Sequence, residues 1–231
     1  ALAKHQDILG LAQVVELRHR GGSRTSYLAR GPVMRPDTKE QTGFFVQHLS
    51  GLARIDHNLD FLIEPSPLIE AELNQPAYLG QNKLKTAPRL QPGRSILVDL
   101  APTKQELLDS FKSKTRYNIR LATKKQVQIT EQTSHQGLDQ LWDLLQTTAQ
   151  RQGIKNYPKD YYRTLLDSFS PLDCISILLA KHEQDILAGL LLIYYQNTAF
   201  YLFGGTASIK RELMANYLLH YEAMLLSLIH I

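Results

Sequence analysis

Cysteine is almost absent. Cys174 is the single one in 231 residues, so no internal disulfide can form and a reducing compartment fits best. No apolar run reaches the roughly 20 residues that span a bilayer. The richest stretch, near the C-terminus, is interrupted by His220 and Glu222 and reads as a core helix. Neither a Walker-type phosphate loop nor a dinucleotide glycine fingerprint occurs. The eight histidines show no metal-ligand spacing with Cys, Asp or Glu, so no metal is expected. Tandem repeats, low-complexity tracts and coiled-coil heptads are also lacking.

What is present is an ordinary globular composition, 43% apolar and 21% charged, which argues against long disorder. A chain of this length buries about 70% of its unfolded surface and needs no covalent staples. The formal charge is +4, a mild excess that suits an anionic partner. The chain begins Ala1-Leu2-Ala3 without Met and stops inside an apolar helical pattern, so the expectation is a fragment at both ends.

Strand-like runs are expected at Asp7 to Leu17, Thr25 to Ala29, Leu59 to Ile63, Ser95 to Leu100, Val127 to Thr130, Ile175 to Ala180, Ile186 to Tyr195 and Ala199 to Phe203. The Gly21-Gly22-Ser23 turn closes a hairpin. Helical spacing from Thr38 to Ile55 groups Phe44, Phe45, His48, Leu49 and Leu52. Glu70 to Arg94 lacks a period and reads as loop or linker. Thr103 and Glu106 have capping-box spacing, opening a helix that is expected to run to about Lys125. Leu138, Leu141, Trp142 and Leu145 mark another helix, stopped by Gly153. Pro158 suits a helix first turn, followed by the stripe Tyr161, Tyr162, Leu165, Leu166 and Phe169. Gly204-Gly205-Thr206 is expected to end the last strand, with a helix from about Ile209. This mixed order is α/β or α+β, divided into residues 1–94 and 95–231.

The most informative segment is 112–125. It carries six basic residues, and no acidic residue lies between Asp109 and Glu131. On one continuous helix, Lys112, Arg116, Arg120 and Lys124 would share a face, repelling by about 0.2–0.5 kcal/mol per pair. A charge run is most often a solvated face. Here the missing acidic partners favour an external anion such as phosphate. The pair Gly204-Gly205 would let backbone amides approach a ligand, although a Gly-Gly pair by itself usually marks only a turn.

Lys114-Thr115-Arg116-Tyr117-Asn118-Ile119-Arg120, followed by Ala122 and Lys124-Lys125, resembles the most diagnostic stretch of the FemABX family. These are aminoacyl-tRNA-dependent transferases that add amino acids to the peptidoglycan stem peptide. The Phe203-Gly204-Gly205-Thr206 segment and the Asn216-to-Met224 helix resemble a second family block, and Arg30-Gly31-Pro32-Val33 a third. Gln126 departs from the glycine usual after the Lys pair. The resemblance implies two GNAT-like acyltransferase domains, both incomplete, in a member without a helical-hairpin arm. It implies aminoacyl-tRNA as donor and a muramyl-pentapeptide precursor, nucleotide- or lipid-linked, as acceptor. The setting would be cytoplasmic, with peripheral contact at the inner membrane face. No cofactor is expected, since the glycine-rich pyrophosphate loop of coenzyme A enzymes is missing.

The implied chemistry is aminolysis of an ester, which needs orientation, a proton acceptor and oxyanion stabilisation but no covalent nucleophile. Cys174 therefore reads as a small core residue. Glu64, ending a strand before Pro65, matches an acidic family position and is the candidate catalytic acid–base group; a plain strand-end carboxylate is an equal reading. By the same resemblance Lys112, Arg116, Asn118, Arg120, Lys124, Tyr161, Tyr201, Gly204 and Gly205 are candidate substrate-binding residues. Tyr161 and Tyr201 could equally be core aromatics with a wet hydroxyl. Where the family often has a basic residue four positions before Tyr161, this chain has Tyr157. Two other functions stay open: a GNAT-like N-acyltransferase acting on another cell-envelope amine, and a non-catalytic basic module that binds RNA or anionic lipid.

Overall fold

The computed structural model describes residues 2–4, 7–19, 21–35, 37, 41–55, 60–65 and 85–230. Contacts divide the chain into two units, Ala1–Ile96 and Leu97–Ile231.

The first unit holds two small sheets and a helix. Strands β1 (Leu2–Lys4), β2 (Asp7–Leu11) and β5 (Val33–Met34) form one, in the order β1-β2-β5. Strands β3 (Val14–Arg18), β4 (Arg24–Ala29) and β6 (Asp60–Glu64) form the other, with β3 antiparallel and β6 parallel to β4. The run from Asp7 to Leu17 is thus two strands in different sheets, broken at Ala12-Gln13. The expected hairpin forms, and Gly21 and Gly22 take φ of +101° and +86°, a region only glycine enters freely. Helix α1 (Thr42–Ile55) makes the crossover that a parallel β4–β6 pair requires. It buries Phe45 and Val46, while Phe44 and His48 stack on each other at the surface. The apolar stripe is therefore turned from the expected one. Residues 38–40 and 70–84, and Leu59, fall outside the described residues.

Residues 85–103 carry no helix or strand, so Ser95 to Leu100 is not the expected strand. Ile96 and Leu97 are 88% and 91% exposed; apolar composition without a ladder partner leaves them in irregular chain.

The second unit opens with two helices where one was expected, α2 (Lys104–Ser110) and α3 (Ser113–Lys124). Thr103 and Glu106 close the capping box reciprocally. The chain then turns extended at Phe111 and Lys112, with ψ of 155° and 147°. Strand β7 (Gln128–Gln132) precedes α4 (His135–Gln152), which Ser134 caps at its start and Gly153 stops at φ +67°. Helix α5 (Lys159–Phe169) follows, with Pro158 as its N-cap rather than inside its first turn. Strands β8 (Ile175–His182), β9 (Asp185–Tyr195) and β10 (Thr198–Thr206) complete an antiparallel sheet in the order β10-β9-β8-β7. The last helix, α6 (Ala215–His230), begins six residues later than expected, after a 3-10 turn at Arg211–Leu213.

Helices cover both faces of this sheet. Ile175, Ile177 and Leu179 pack with Leu138, Leu141 and Leu145 of α4 and Tyr162 and Leu166 of α5. Leu178 and Ala180, their alternates along β8, pack with Ile119 and Ala122 of α3 and Leu218 and Leu219 of α6. Burial on both faces explains the unbroken apolar reading of β8.

Candidate active site

Helix α3 separates its cations by partner. Arg116 donates to the backbone oxygens of Asp109 and Phe111. Those carbonyls close α2, where a helix leaves acceptors unpaired, so Arg116 ties the two helices together. The break at Lys112 creates this role, which a single continuous helix would not need. Lys112 is the N-cap of α3 and makes no side-chain capping bond. Lys112, Arg120 and Lys124 are exposed. Asn118 lies on the opposite side, 3% exposed, and its amide nitrogen has no partner among the described residues.

A cleft of about 370 Å³ opens between α3 and α6. Phe111, Thr115 and Ile119 line one wall, four residues apart on the α3 side. Asn216, Tyr217, His220, Tyr221 and Met224 line the other. The Tyr221 hydroxyl donates to the Lys104 backbone oxygen, which fixes its ring. His220 meets the Tyr201 ring edge-on, 5.1 Å between centroids. Burial pushes the His220 imidazole below its ordinary value and the Tyr201 phenol above its own. His220, Thr115 and Asn216 lie in the segments that carry the family resemblance but were not among the candidate site residues. Their signal is polar residues interrupting an apolar helical stripe that otherwise reads as core.

Gly204 and Gly205 do not form a turn. Both lie in β10, opposite Leu190 and Gly189, after a register shift between Tyr201 and Phe203. A Cβ on Gly205 would sit 2.5 Å from the Leu144 carbonyl carbon, so this glycine lets α4 approach the sheet. A Cβ on Gly204 would strike the Tyr201 hydroxyl and lie 3.0 Å from its ring; Tyr201 lies across that glycine.

Tyr161 reaches β10 from α5. It stacks on Tyr157, 4.4 Å between centroids and 22° between planes, and meets Phe203 edge-on. Phe203 packs with the α4–α5 cluster. Tyr161 thus meets β10 from the α4–α5 layer, whereas Tyr201, itself in β10, meets α6.

Glu64 belongs to the first unit, at the end of β6. It is 8% exposed. Its carboxylate accepts the Tyr27 hydroxyl from β4 at 2.5 Å and the Gln91 backbone N–H at 3.1 Å. The neighbouring Arg30 donates to the Pro92 backbone oxygen.

A four-stranded antiparallel sheet with helices on both faces, entered by a cleft at the end of one helix pair, defines a GNAT-like α/β unit. The whole chain superposes on the crystal structure of FemX with a TM-score of 0.76 at 17% identity, covering all of this chain and 76% of that one. Residues 77–185 match the FemAB family. A UDP-N-acetylmuramoylpentapeptide-lysine N(6)-alanyltransferase of Weissella viridescens is 26% identical over 119 residues, 51% of this chain and 35% of that protein. A lipid II:glycine glycyltransferase of Staphylococcus saprophyticus is 27% identical over 94 residues, 41% and 22%. The chain therefore aligns to about a third or less of these curated relatives. These matches support a relationship to the FemABX family, carried by residues 77–185.

Proposed function

We propose that the protein containing this chain moves an amino acid from aminoacyl-tRNA to an amine of the peptidoglycan stem-peptide precursor. The observation that carries this reading is the segment 112–125. It lies inside the family match and exposes Lys112, Arg120 and Lys124 on one helix, as a phosphate backbone requires. The curated relatives are named as an alanyltransferase acting on the lysine of UDP-N-acetylmuramoylpentapeptide and as a lipid II:glycine glycyltransferase. The reading takes aminoacyl-tRNA rather than coenzyme A as donor, in keeping with a connection from β10 to α6, residues 207–214, that contains no glycine. Tyr161, Tyr201 and Gly204 frame the acceptor, and Asn118 and Arg116 hold α3 in place. Gly205 acts through the backbone, by letting α4 close on the sheet. No described helix is long and apolar enough to cross a membrane; peripheral contact at the cytoplasmic face suits a lipid-linked acceptor.

The test is incubation of the protein with charged tRNA and soluble nucleotide-linked muramyl pentapeptide, read by mass spectrometry. Addition of one amino-acid mass to the pentapeptide is the expected result. Reversing Arg120 and Lys124 to Glu should weaken tRNA binding and lower the salt slope by about 1.5–2. An unchanged slope would make the stripe a solvated face. Glu64 remains the acid–base candidate of the first unit. Glu64→Gln should lower turnover by about 10²–10⁴ if the carboxylate takes the proton. A fall under about tenfold leaves it as the anchor for Tyr27 and Gln91.

A further inference from the structure

The walls of the α3–α6 cleft carry apolar, amide, hydroxyl and phenol groups and one imidazole. No carboxylate or cation is among them. Lys104 lies beyond the wall, its ammonium 5.9 Å from the Tyr221 ring centre, and the Arg116 guanidinium is turned onto backbone carbonyls. Tyr201 meets the His220 ring and Tyr217 and Tyr221 line the same cleft, and the Tyr201 and Tyr221 phenols are held above the ordinary tyrosine value by burial. His220 is therefore the one group lining the cleft that can exchange a proton near neutral pH. Its ring is braced by Tyr201 on β10, and its position on α6 is set by the buried Leu218 and Leu219 on either side of the helix core face. Among buried or half-buried histidines, a satisfied core ring would be enclosed. This one opens onto a space large enough for a substrate side chain.

We propose that this cleft receives the reacting amine and that His220, rather than Glu64, is the proton acceptor of the transfer. The proposal rests on the aminoacyl-transfer reading above. The neutral amine attacks the aminoacyl ester carbon and a C–N bond forms. The proton shed by that nitrogen passes to the His220 imidazole. As the ester C–O bond breaks, the imidazolium returns the proton to the departing ribose oxygen, so the histidine is restored. Burial without an adjacent carboxylate keeps the ring neutral at pH 7, the form that accepts.

The experiment compares the unaltered protein with His220→Gln in the same transfer assay across pH. Gln keeps a polar side chain of similar reach and cannot titrate. The expected result is a fall in kcat of at least about tenfold, unchanged KM for the precursor, and loss of the acidic limb of the kcat profile. A kcat within twofold of the unaltered protein with the acidic limb retained overturns the inference and leaves the transfer reading standing. Absence of any transfer by the unaltered protein is the separate failure of that reading. A second measurement needs neither turnover nor the variant's stability. Proton NMR titration of the unaltered protein should place the His220 midpoint below the ordinary histidine value, and saturating nucleotide-linked muramyl pentapeptide should displace it. A His220 signal that the precursor does not move counts against the proposal.

Discussion

The two units are built from similar pieces and hold together differently. In the second, every residue of β8 from Ile175 to Ala180 is buried, because helices lie on both faces of its sheet. In the first, β3 has no buried residue, and the buried centre passes through β4, where Tyr27 and Leu28 lie. The second unit is stabilised by apolar contact at short range. The first carries a buried carboxylate whose partners come from a neighbouring strand and from a segment 27 residues further along the chain. A polar anchor can bind an irregular segment such as the one around Gln91, which has no ladder to hold it. Apolar packing cannot do so where so few side chains are buried.

Five substitutions sharpen that contrast. The largest effect is expected from Leu191→Ala, since Leu191 is fully buried between the sheet and α4–α5. A loss of about 3–5 kcal/mol should appear in denaturant unfolding. Trp142 packs on Tyr162 in the same cluster, so its fluorescence reports this unit directly. Next is Gly205→Ala, whose methyl would meet Leu144 and Leu145 backbone atoms at 2.5–2.7 Å. Backbone cannot rotate aside, and a cost of about 3 kcal/mol is expected. Gly189→Ala, which meets only side-chain ends of Leu179, Leu144 and Leu141, should cost clearly less. Equal losses at the two glycines would remove the argument from close helix–sheet approach.

Tyr27→Phe tests the polar anchor of the first unit. It leaves the Glu64 carboxylate short of one donor in a buried place, and a loss of about 1–3 kcal/mol is expected. Limited proteolysis near Gln91 should speed up with it. The smallest effect concerns pH. Bonds from Thr103 hold the Glu106 carboxyl below its ordinary value. A lowered folded value means that the stabilisation is fully present above the unfolded value and is lost as pH falls through the folded one. Glu106→Gln should therefore lower neutral-pH stability slightly, leave stability at low pH unchanged, and so flatten the acid limb of the stability curve. An unaltered acid limb would show that the cap is not formed in solution.

Local signals were legible where a few adjacent residues decide the outcome. The Thr103–Glu106 box, the Gly153 stop, the hairpin at Gly21-Gly22 and the three long strands of the second unit all follow from short-range chemistry. The break at Phe111-Lys112 was not legible. Helix propensity is good on both sides, and the break depends on Arg116 reaching back to α2. Gly204-Gly205 misled for a related reason. A glycine pair marks a turn in isolation, but here the crowding that requires Gly205 comes from Leu144, 61 residues away in sequence. Ser95 to Leu100 has strand composition and no strand, because a ladder needs a partner as well as a pattern.

The candidate site divides along the same line. The amino-acid sequence by itself carried the resemblance to the FemABX family, through the 114–125 segment and the Asn216-to-Met224 helix, and it determined the basic character of α3, because charge and residue order are carried by the chain whatever its conformation. Only the tertiary structure decided which cations remain available. Arg116 is spent on helix ends, while Lys112, Arg120 and Lys124 face outward. It also turned two stripes that read as core into the walls of a cleft, with His220 between them. Helical periodicity states which residues share a face; whether that face meets another helix closely or leaves a space depends on where α3 and α6 are set by the sheet beneath them.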